Sequence, residues 1–135
     1  MKLRPATMDD AQMLLRWKND PLTIKNSIVT DKLITMKNHL RWLRKNLDGI
    51  FIIIVDNTPV GDVRISSGEI AIKLDIKYRG RGLGTEAIRL ASKGKKLTAK
   101  IVKHNIPSMR VFIQNGYLPV SLRREGTVEY YVFTN

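Results

Sequence analysis

The sequence predicts one α/β domain over residues 1–135, in which helices pack on a mixed sheet. Three observations support this fold class. The chain of 135 residues is 43% hydrophobic and 27% charged, which suits a single folded core. Its apolar residues alternate in some runs and recur at helical spacing in others, in the order β-α-α-β-β-β-α-β-α-β-β. A glycine-rich stretch, residues 79–84, joins a predicted strand to a predicted helix.

Turn and capping residues set the predicted elements of the first half. Pro5 ends a strand at residues 2–4. Thr7 or Asp9 can cap the next helix, which runs to about Asn19. We then predict, in chain order, an irregular polar segment at 20–34, a helix at 35–46, and strands at 50–56 and 60–65.

The second half alternates strands and helices. Residues 69–76 alternate between apolar and polar side chains, so their even-numbered residues, Ile70 to Ile76, share one strand face. The remaining predicted elements are a helix at 85–92, a strand at 97–102, a helix at 108–114 and a closing antiparallel pair at 117–123 and 127–133.

The run Arg79-Gly80-Arg81-Gly82-Leu83-Gly84 has the composition of a phosphate-binding loop. Its glycines leave the backbone free to adopt positive φ, so successive N–H groups can point at one anion where a helix begins. The two arginines add positive charge. A tight turn with solvated arginines is the alternative, and the residues alone leave both open. The spacing is neither that of a P-loop nor that of a Rossmann fingerprint.

Two segments together resemble the GNAT family of N-acetyltransferases. Arg79, Gly82 and Gly84 match its Arg/Gln-x-x-Gly-x-Gly/Ala signature, and residues 105–117 are similar to its Asn-x-x-Ser/Ala…Gly-Phe/Tyr segment. The resemblance implies the GNAT acyl-CoA N-acyltransferase fold, with a mixed, mostly antiparallel sheet of about seven strands and helices on both faces. It also implies that the fourth and fifth strands splay apart around the pantetheine arm of acetyl-CoA.

The same resemblance implies which residues bind acetyl-CoA. The N–H groups of residues 79–85 would hold the pyrophosphate, and the main chain of the fourth strand would pair with the pantetheine. The implied cofactor-binding residues are Leu74, Ile76, Arg79, Gly80, Arg81, Gly82, Leu83, Gly84, Thr85, Asn105, Ser108 and Phe112.

The implied reaction transfers an acetyl group to an amine, which must lose a proton. Glu69 aligns with an acid of the fourth strand that often acts in this family, and a surface glutamate is the alternative. His39 is the second candidate base. Many members place a tyrosine acid where this chain has Phe112, so the leaving thiolate would be served by Asn105, Ser108, water or another tyrosine such as Tyr117.

Charge and composition narrow the partners. Lys and Arg number 24 against 12 acids, a net charge of +12, so we expect an anionic partner. The basic residues form no block and only 7% of residues are aromatic, which disfavours a nucleic-acid-binding module. Without cysteine and with two histidines, the chain offers no disulfide, thiol nucleophile or ordinary zinc site. We expect no metal, no membrane span and a cytoplasmic monomer or homodimer.

The N-terminal half carries a second resemblance in Arg16-Trp-Lys-Asn-Asp-Pro21, Lys25-Asn-Ser27 and His39-Leu-Arg-Trp-Leu43. These segments are similar to GNAT enzymes that acetylate nucleotide-linked amino sugars of pseudaminic-acid-type pathways. The implied acceptor is a small-molecule amine, the 4-amino group of a nucleotide-linked amino-dideoxy sugar. The implied acceptor-binding residues are Asn19, Lys25, Asn26, Ser27, His39 and Trp42. The Trp42 ring can stack on a base or sugar face. A protein N-terminus or another small amine is the alternative acceptor.

Overall fold

The computed structural model describes residues 1–29 and 32–135, which form one seven-stranded sheet flanked by helices. The strands are β1 (Lys2–Pro5), β2 (Ile50–Val55), β3 (Thr58–Ser66), β4 (Glu69–Leu74), β5 (Thr98–Val102), β6 (Leu118–Glu125) and β7 (Val128–Thr134). They lie in the order β1-β2-β3-β4-β5-β7-β6. Among the strands of the described residues, only β4 and β5 pair in parallel. The predicted mixed, mostly antiparallel sheet is confirmed.

Five α-helices lie within the same described residues. They are α1 (Ala11–Lys18), α2 (Pro21–Lys25), α3 (Met36–Asn46), α4 (Leu83–Ser92) and α5 (Ile106–Ile113). None of them is long and apolar enough to cross a membrane. Short 3-10 turns precede α1, follow α3 and follow β4.

The isoleucines of β2 serve two cores, one on each face of the sheet. Ile53 packs into a core that contains Ala87 and Ile88 of α4. Ile52 packs on the opposite face, against Leu14 of α1 and Leu43 of α3. Burying a side chain of this size contributes about 1.5–3 kcal/mol. The predicted helices on both faces of the sheet are therefore confirmed.

Two predicted elements differ from the structure. The segment at 20–34 is not wholly irregular, because Pro21–Lys25 forms α2, whose first N–H groups are capped by the Asp20 carboxylate. Residues 30 and 31 of that segment lie outside the described part of the chain. The strand predicted to reach Ile76 ends at Leu74, since the Asp75 carboxylate accepts the Lys77 N–H and starts a 3-10 turn. The alternation of apolar and polar residues continues in the sequence to Ile76, although the backbone already turns after Leu74.

The splay between β4 and β5 opens immediately after their first residues. Glu69 and Thr98 form the register pair between these strands, whereas β5 pairs with β7 along its whole length. From Glu69 toward Leu74 the edge of β4 that faces β5 is therefore left open. The predicted splay is confirmed, and it leads from the joined end at Glu69 to the loop between β4 and α4.

Candidate active site

The loop between β4 and α4 has the backbone geometry that its glycines predicted. Gly80 and Gly82 have φ of 75° and 77°, and Gly82 is the N-cap of α4. A Cβ built on either glycine would meet nothing within 4 Å. The first N–H groups of a helix have no partner within it, so this open space faces donors and the positive end of the helix dipole.

Gly84 has a different role from the one that the signature predicted. It is helical and buried, and a Cβ there would lie 3.4 Å from Val111 and 3.7 Å from Leu74. It allows α4 to pack closely on α5 and β4. Of the three glycines, Gly80 and Gly82 therefore supply positive φ next to the open space, whereas Gly84 lies inside the helix, where a Cβ would make ordinary contacts.

Arg79 is engaged by the protein itself. Its guanidinium lies 2.9 Å from the Asp20 carboxylate, and its Nε donates to the Leu74 carbonyl at 3.1 Å. Burial alone would raise the pKa of Asp20, but the hydrogen bonds from Arg79 and from the start of α2 outweigh it and lower that pKa. Arg79 thus connects the loop between β4 and α4 to the helices of the N-terminal half.

The other predicted loop residues lie around the open space. Arg81 lies over the ring of Tyr78, with its guanidinium carbon 5.4 Å from the ring centroid. The Thr85 hydroxyl is 2.7 Å from the Gln114 side chain, which connects α4 to the end of α5. Leu83 is half-buried and Ile76 is 67% exposed. Because Ile76 lies in the turn, only Leu74 of the predicted pantetheine pair belongs to a strand.

The α5 segment contributes support more than open donors. The Asn105 side chain caps α5 by accepting the Ser108 N–H at 3.4 Å. Phe112 is 2% exposed and packs edge-on against Tyr117, with ring centroids 5.0 Å apart. The Tyr117 hydroxyl bonds Ser92 at 2.7 Å. Phe112 therefore belongs to the core and does not line the cleft.

Glu69 lies at the joined end of the splay, at the first position of β4. Its carboxylate is 3.3 Å from the Lys100 ammonium, and both side chains are 41% exposed. An ion pair this open to solvent is weak, at about 0.2–1 kcal/mol, so the carboxylate is not fixed away from a substrate. The structure keeps Glu69 accessible and gives it a cationic neighbour.

His39 occupies the opposite kind of environment. Its ring is fully buried, and its Nε2 lies 2.9 Å from the Ala11 carbonyl. Burial, followed by repulsion from Lys18, lowers the pKa of His39. The imidazole is therefore neutral and joins α3 to α1. The His39 ring has no exposed surface from which it could act on a substrate.

Among the polar residues predicted to bind the acceptor, the two asparagines make hydrogen bonds to other parts of the chain. Asn19 exchanges two hydrogen bonds with the backbone of Ile34, at 2.8 and 2.9 Å, and so orders the approach to α3. Asn26 contacts the His104 ring at 2.9 Å. Lys25 is exposed and Ser27 is half-buried. The two asparagines hold the N-terminal segment in place.

Trp42 is predicted as a stacking platform, but its ring already contacts cations. The Lys18 ammonium lies 3.1 Å from the ring centroid and the Arg64 guanidinium 4.9 Å from it. Asp62 and Lys73 line the same recess, and these four charged residues were missed by sequence reasoning. Asp62 and Arg64 alternate on the face of β3 that carries α1 and α3, so charges on an inward strand face were the available signal.

A broad recess adjoins the loop. It has about 690 Å³ of empty space and is lined by Arg16, Trp17, Asp20, Asp75, Ile76, Lys77 and Arg79. The Asp75 carboxylate accepts the Lys77 N–H and the Trp17 indole N–H, and these hydrogen bonds, the backbone one first, lower its pKa. Within residues 1–29 and 32–135, no three acidic, histidine or cysteine side chains group closely enough to hold a metal ion.

Comparison with known proteins agrees with this geometry. The sequence profile described as "Acetyltransferase (GNAT) domain" matches residues 1–118, which is most of the chain. The chain belongs to the GNAT acetyltransferase family. An uncharacterized protein of Methanocaldococcus jannaschii is 27% identical over 141 residues, which cover 92% of this chain. The match spans 29% of that relative's own length.

Solved structures share the fold of this GNAT domain at low sequence identity. A domain from Methanocaldococcus jannaschii superposes with a TM-score of 0.85 at 22% identity, over 99% of this chain and 96% of that one. An aminoglycoside acetyltransferase in complex with coenzyme A gives a TM-score of 0.80 at 15% identity, over 99% and 93% of the two chains. A GNAT-family acetyltransferase from Bacillus anthracis gives 0.80 at 19% identity, over 98% and 92%.

Family membership makes this GNAT domain an acetyl-CoA-dependent N-acetyltransferase. Its residues fit that cofactor. The open space at Gly80 and Gly82 would accept a pyrophosphate at the start of α4, and the free edge of β4 borders the splay where a pantetheine arm could pair. Bound there, acetyl-CoA would supply an activated acetyl thioester. The chain itself would supply the hydrogen-bond donors of the loop that hold the cofactor in place.

Proposed function

We propose that this GNAT enzyme acetylates the amine of a nucleotide-linked amino sugar, specifically the 4-amino group of an amino-dideoxy hexose. The observation that carries the proposal is the excess of cations on the face that α1 and α3 cover. Lys18, Arg64 and Lys73 gather there around a single carboxylate, Asp62. Because buried like charges repel, this arrangement favours an acceptor that brings negative charge.

The charge distinguishes this acceptor from those bound by similar structures. Several structural relatives are aminoglycoside acetyltransferases, one of them in complex with coenzyme A and kanamycin. Aminoglycosides carry several ammonium groups, which a protein of net charge +12 would repel. A nucleotide-linked sugar presents the same kind of amine on a sugar ring but adds about two negative charges through its diphosphate.

In this proposal Glu69 assists removal of the proton from the amine. It is the accessible carboxylate on the strand that borders the splay, whereas His39 is buried against Ala11. The loop at 79–85 fixes the cofactor, and Asp20 connects that loop to the acceptor helices through Arg79. Asn105 holds the start of α5 beside the cleft.

The test offers the purified protein three acceptors in parallel: a UDP-4-amino sugar, peptides with free N-termini, and an aminoglycoside. We expect turnover of the nucleotide-linked sugar, with a KM that rises with salt because opposite charges attract less at high ionic strength. Turnover of peptides alone would overturn the proposal and favour a protein N-terminal acetyltransferase. Turnover of the aminoglycoside alone would show that the charge argument fails.

A further inference from the structure

Three cations from three elements converge on one recess beside the splay. Lys18 extends from α1, Arg64 from β3 and Lys73 from β4, and all three line the same narrow recess. Lys73 immediately precedes Leu74 at the open end of β4. It keeps 20% of its side chain exposed, so solvent reaches part of this lysine.

The positive charge of this cationic recess is not balanced within it. Its lining holds three cations and one carboxylate, Asp62, whose Oδ1 lies 3.5 Å from the Lys73 ammonium. Burial and then repulsion from Lys73 lower the pKa of Lys18 to about 7, although Asp62 attracts it. Contact with the Trp42 ring favours the ammonium form but does not supply a counter-charge. An anion placed among the cations would remove the repulsion.

Asp62 supplies an independent sign of a missing group. It is 2% exposed, and its Oδ2 is buried without a hydrogen-bond partner in the described part of the chain. Buried carboxylate oxygens are ordinarily satisfied, because an unpaired one has lost its hydrogen bonds to water and gained none in the protein. A ligand that carries both phosphate oxygens and hydroxyl groups would satisfy the lysines and this oxygen together.

We propose that Lys18, Arg64 and Lys73 bind a phosphate group of the acceptor at the mouth of the cationic recess, whose interior is too narrow to hold the whole group. The inference rests on the proposed function, since it requires an acceptor that carries phosphate, and it assigns Lys18, Arg64 and Lys73 as its binding residues. The position fits, because the recess lies under α1 and α3 on the acceptor side while the cofactor's pyrophosphate has its own place at the start of α4.

The experiment titrates UDP, uridine and inorganic phosphate into protein that is already saturated with coenzyme A, so that the cofactor loop is filled. We expect UDP to bind and uridine to bind at least about 10-fold more weakly, because the phosphates supply the charge. UDP affinity should fall with ionic strength. Equal affinity for UDP and uridine would overturn the proposal.

Four variants locate the site. K18M and K73M should each weaken UDP binding about 10-fold, and K18R should keep it within about 3-fold because the charge remains. K45M, which removes an exposed lysine of α3 outside the recess, is the matched control and should bind as the wild type does. Unchanged UDP affinity in both K18M and K73M, with thermal stability retained, would overturn the assignment.

D62N gives a result of the opposite sign. Asparagine keeps an oxygen that can accept a hydrogen bond from a ligand hydroxyl but loses the negative charge, so D62N should tighten UDP binding by about 3-fold or more, which a purely structural role of Asp62 would not do. Weaker binding in a folded D62N protein would overturn the proposal.

The proposed function is tested separately: UDP-amino-sugar turnover that is unaffected by K18M and K73M would keep the function and reject the recess. Phosphate-dependent UDP binding without sugar turnover would keep the recess and reject the acceptor.

Discussion

The loop proposed to bind the cofactor depends on backbone geometry, whereas the proposed acceptor face depends on charged side chains from several elements. Gly80 and Gly82 have positive φ, and because they carry no side chains they leave the N–H groups of the loop open to a ligand. The acceptor face instead places Lys18, Asp62 and Lys73 from α1, β3 and β4 against one another. A single added side chain can therefore block the first region, while the second should respond gradually to changes of charge.

The largest effect should come from blocking the cofactor loop. Gly82→Val places a branched side chain in the open space where phosphate must approach, and coenzyme A affinity should fall at least about 100-fold. Calorimetric titration of coenzyme A measures it. Gly94→Val is the matched control, because Gly94 also has positive φ, of 71°, and open space, but lies beyond the end of α4.

Both valine variants should lose about 1–2 kcal/mol of stability to the strained backbone, so stability alone cannot separate them. Only Gly82→Val should lose the cofactor. Equal coenzyme A affinity in the two variants would mean that the start of α4 does not bind the pyrophosphate. Gly84→Val should behave differently again and destabilise the fold, since its side chain would meet Val111.

The next effect concerns proton removal at the joined end of the splay. Glu69→Gln should lower kcat about 100-fold, most strongly at pH values where the acceptor amine is protonated. Stability should hardly change, because the exposed pair with Lys100 is worth little. Steady-state kinetics across pH measure this, with the exposed α4 residue Glu86→Gln as control.

His39→Gln separates a buried structural role from a catalytic one. Because the ring is fully buried between α3 and Ala11, we expect lower thermal stability and a kcat close to normal in the folded fraction. If instead Glu69→Gln is silent and His39→Gln lowers kcat at unchanged stability, the two residues exchange roles.

A smaller effect should come from the link between the two regions. Asp20→Asn keeps the cap of α2, because asparagine also caps helices well, but it removes the charge that pairs with Arg79. We expect coenzyme A affinity and acceptor KM to worsen together by about 5–10-fold. Arg79→Gln should do the same, and the double variant should be no worse than either single one.

This cycle also tests the role that the family signature implies for Arg79. If Arg79 contacts the pyrophosphate directly, removing it would lower coenzyme A affinity far more than removing its partner Asp20. Calorimetry with the two single variants decides the question. A loss for Arg79→Gln that greatly exceeds that of Asp20→Asn would place the guanidinium on the cofactor and break the proposed link.

Sequence reasoning succeeded where the determinants are local. The positive φ of Gly80 and Gly82 and the helix α4 that follows them depend on a few consecutive residues. The sheet and its splay followed from element order and the family resemblance. Ile76 was misplaced because alternation persists into a turn that the Asp75 side chain initiates.

It failed where distant elements meet. Asp20 and Arg79 are 59 residues apart, and neither residue carries a sign of the other. Trp42 was predicted to stack on an acceptor, but its ring contacts Lys18 and Arg64 from two other elements. Phe112 was assigned to the cofactor because it occupies a family position, yet it is buried against Tyr117. Such contacts depend on tertiary packing.

The smallest effect should appear in the pH dependence of stability. The pKa of Lys18 is lowered to about 7 in the folded protein, from the ordinary lysine value of 10.5, so the unfolded chain binds a proton that the folded one releases between these pH values. The contribution of this residue to stability should therefore rise with pH above about 7, and below pH 7 the charged lysine should lower the stability of the fold.

Lys18→Met should remove that destabilisation. At pH 6 the variant should be more stable by on the order of 1 kcal/mol after allowing for solvent screening, and its advantage should shrink toward pH 10. Urea unfolding from pH 6 to 10, with Lys45→Met as control, measures the difference. A constant difference across that range would mean that Lys18 titrates normally and that the cationic recess carries no electrostatic strain.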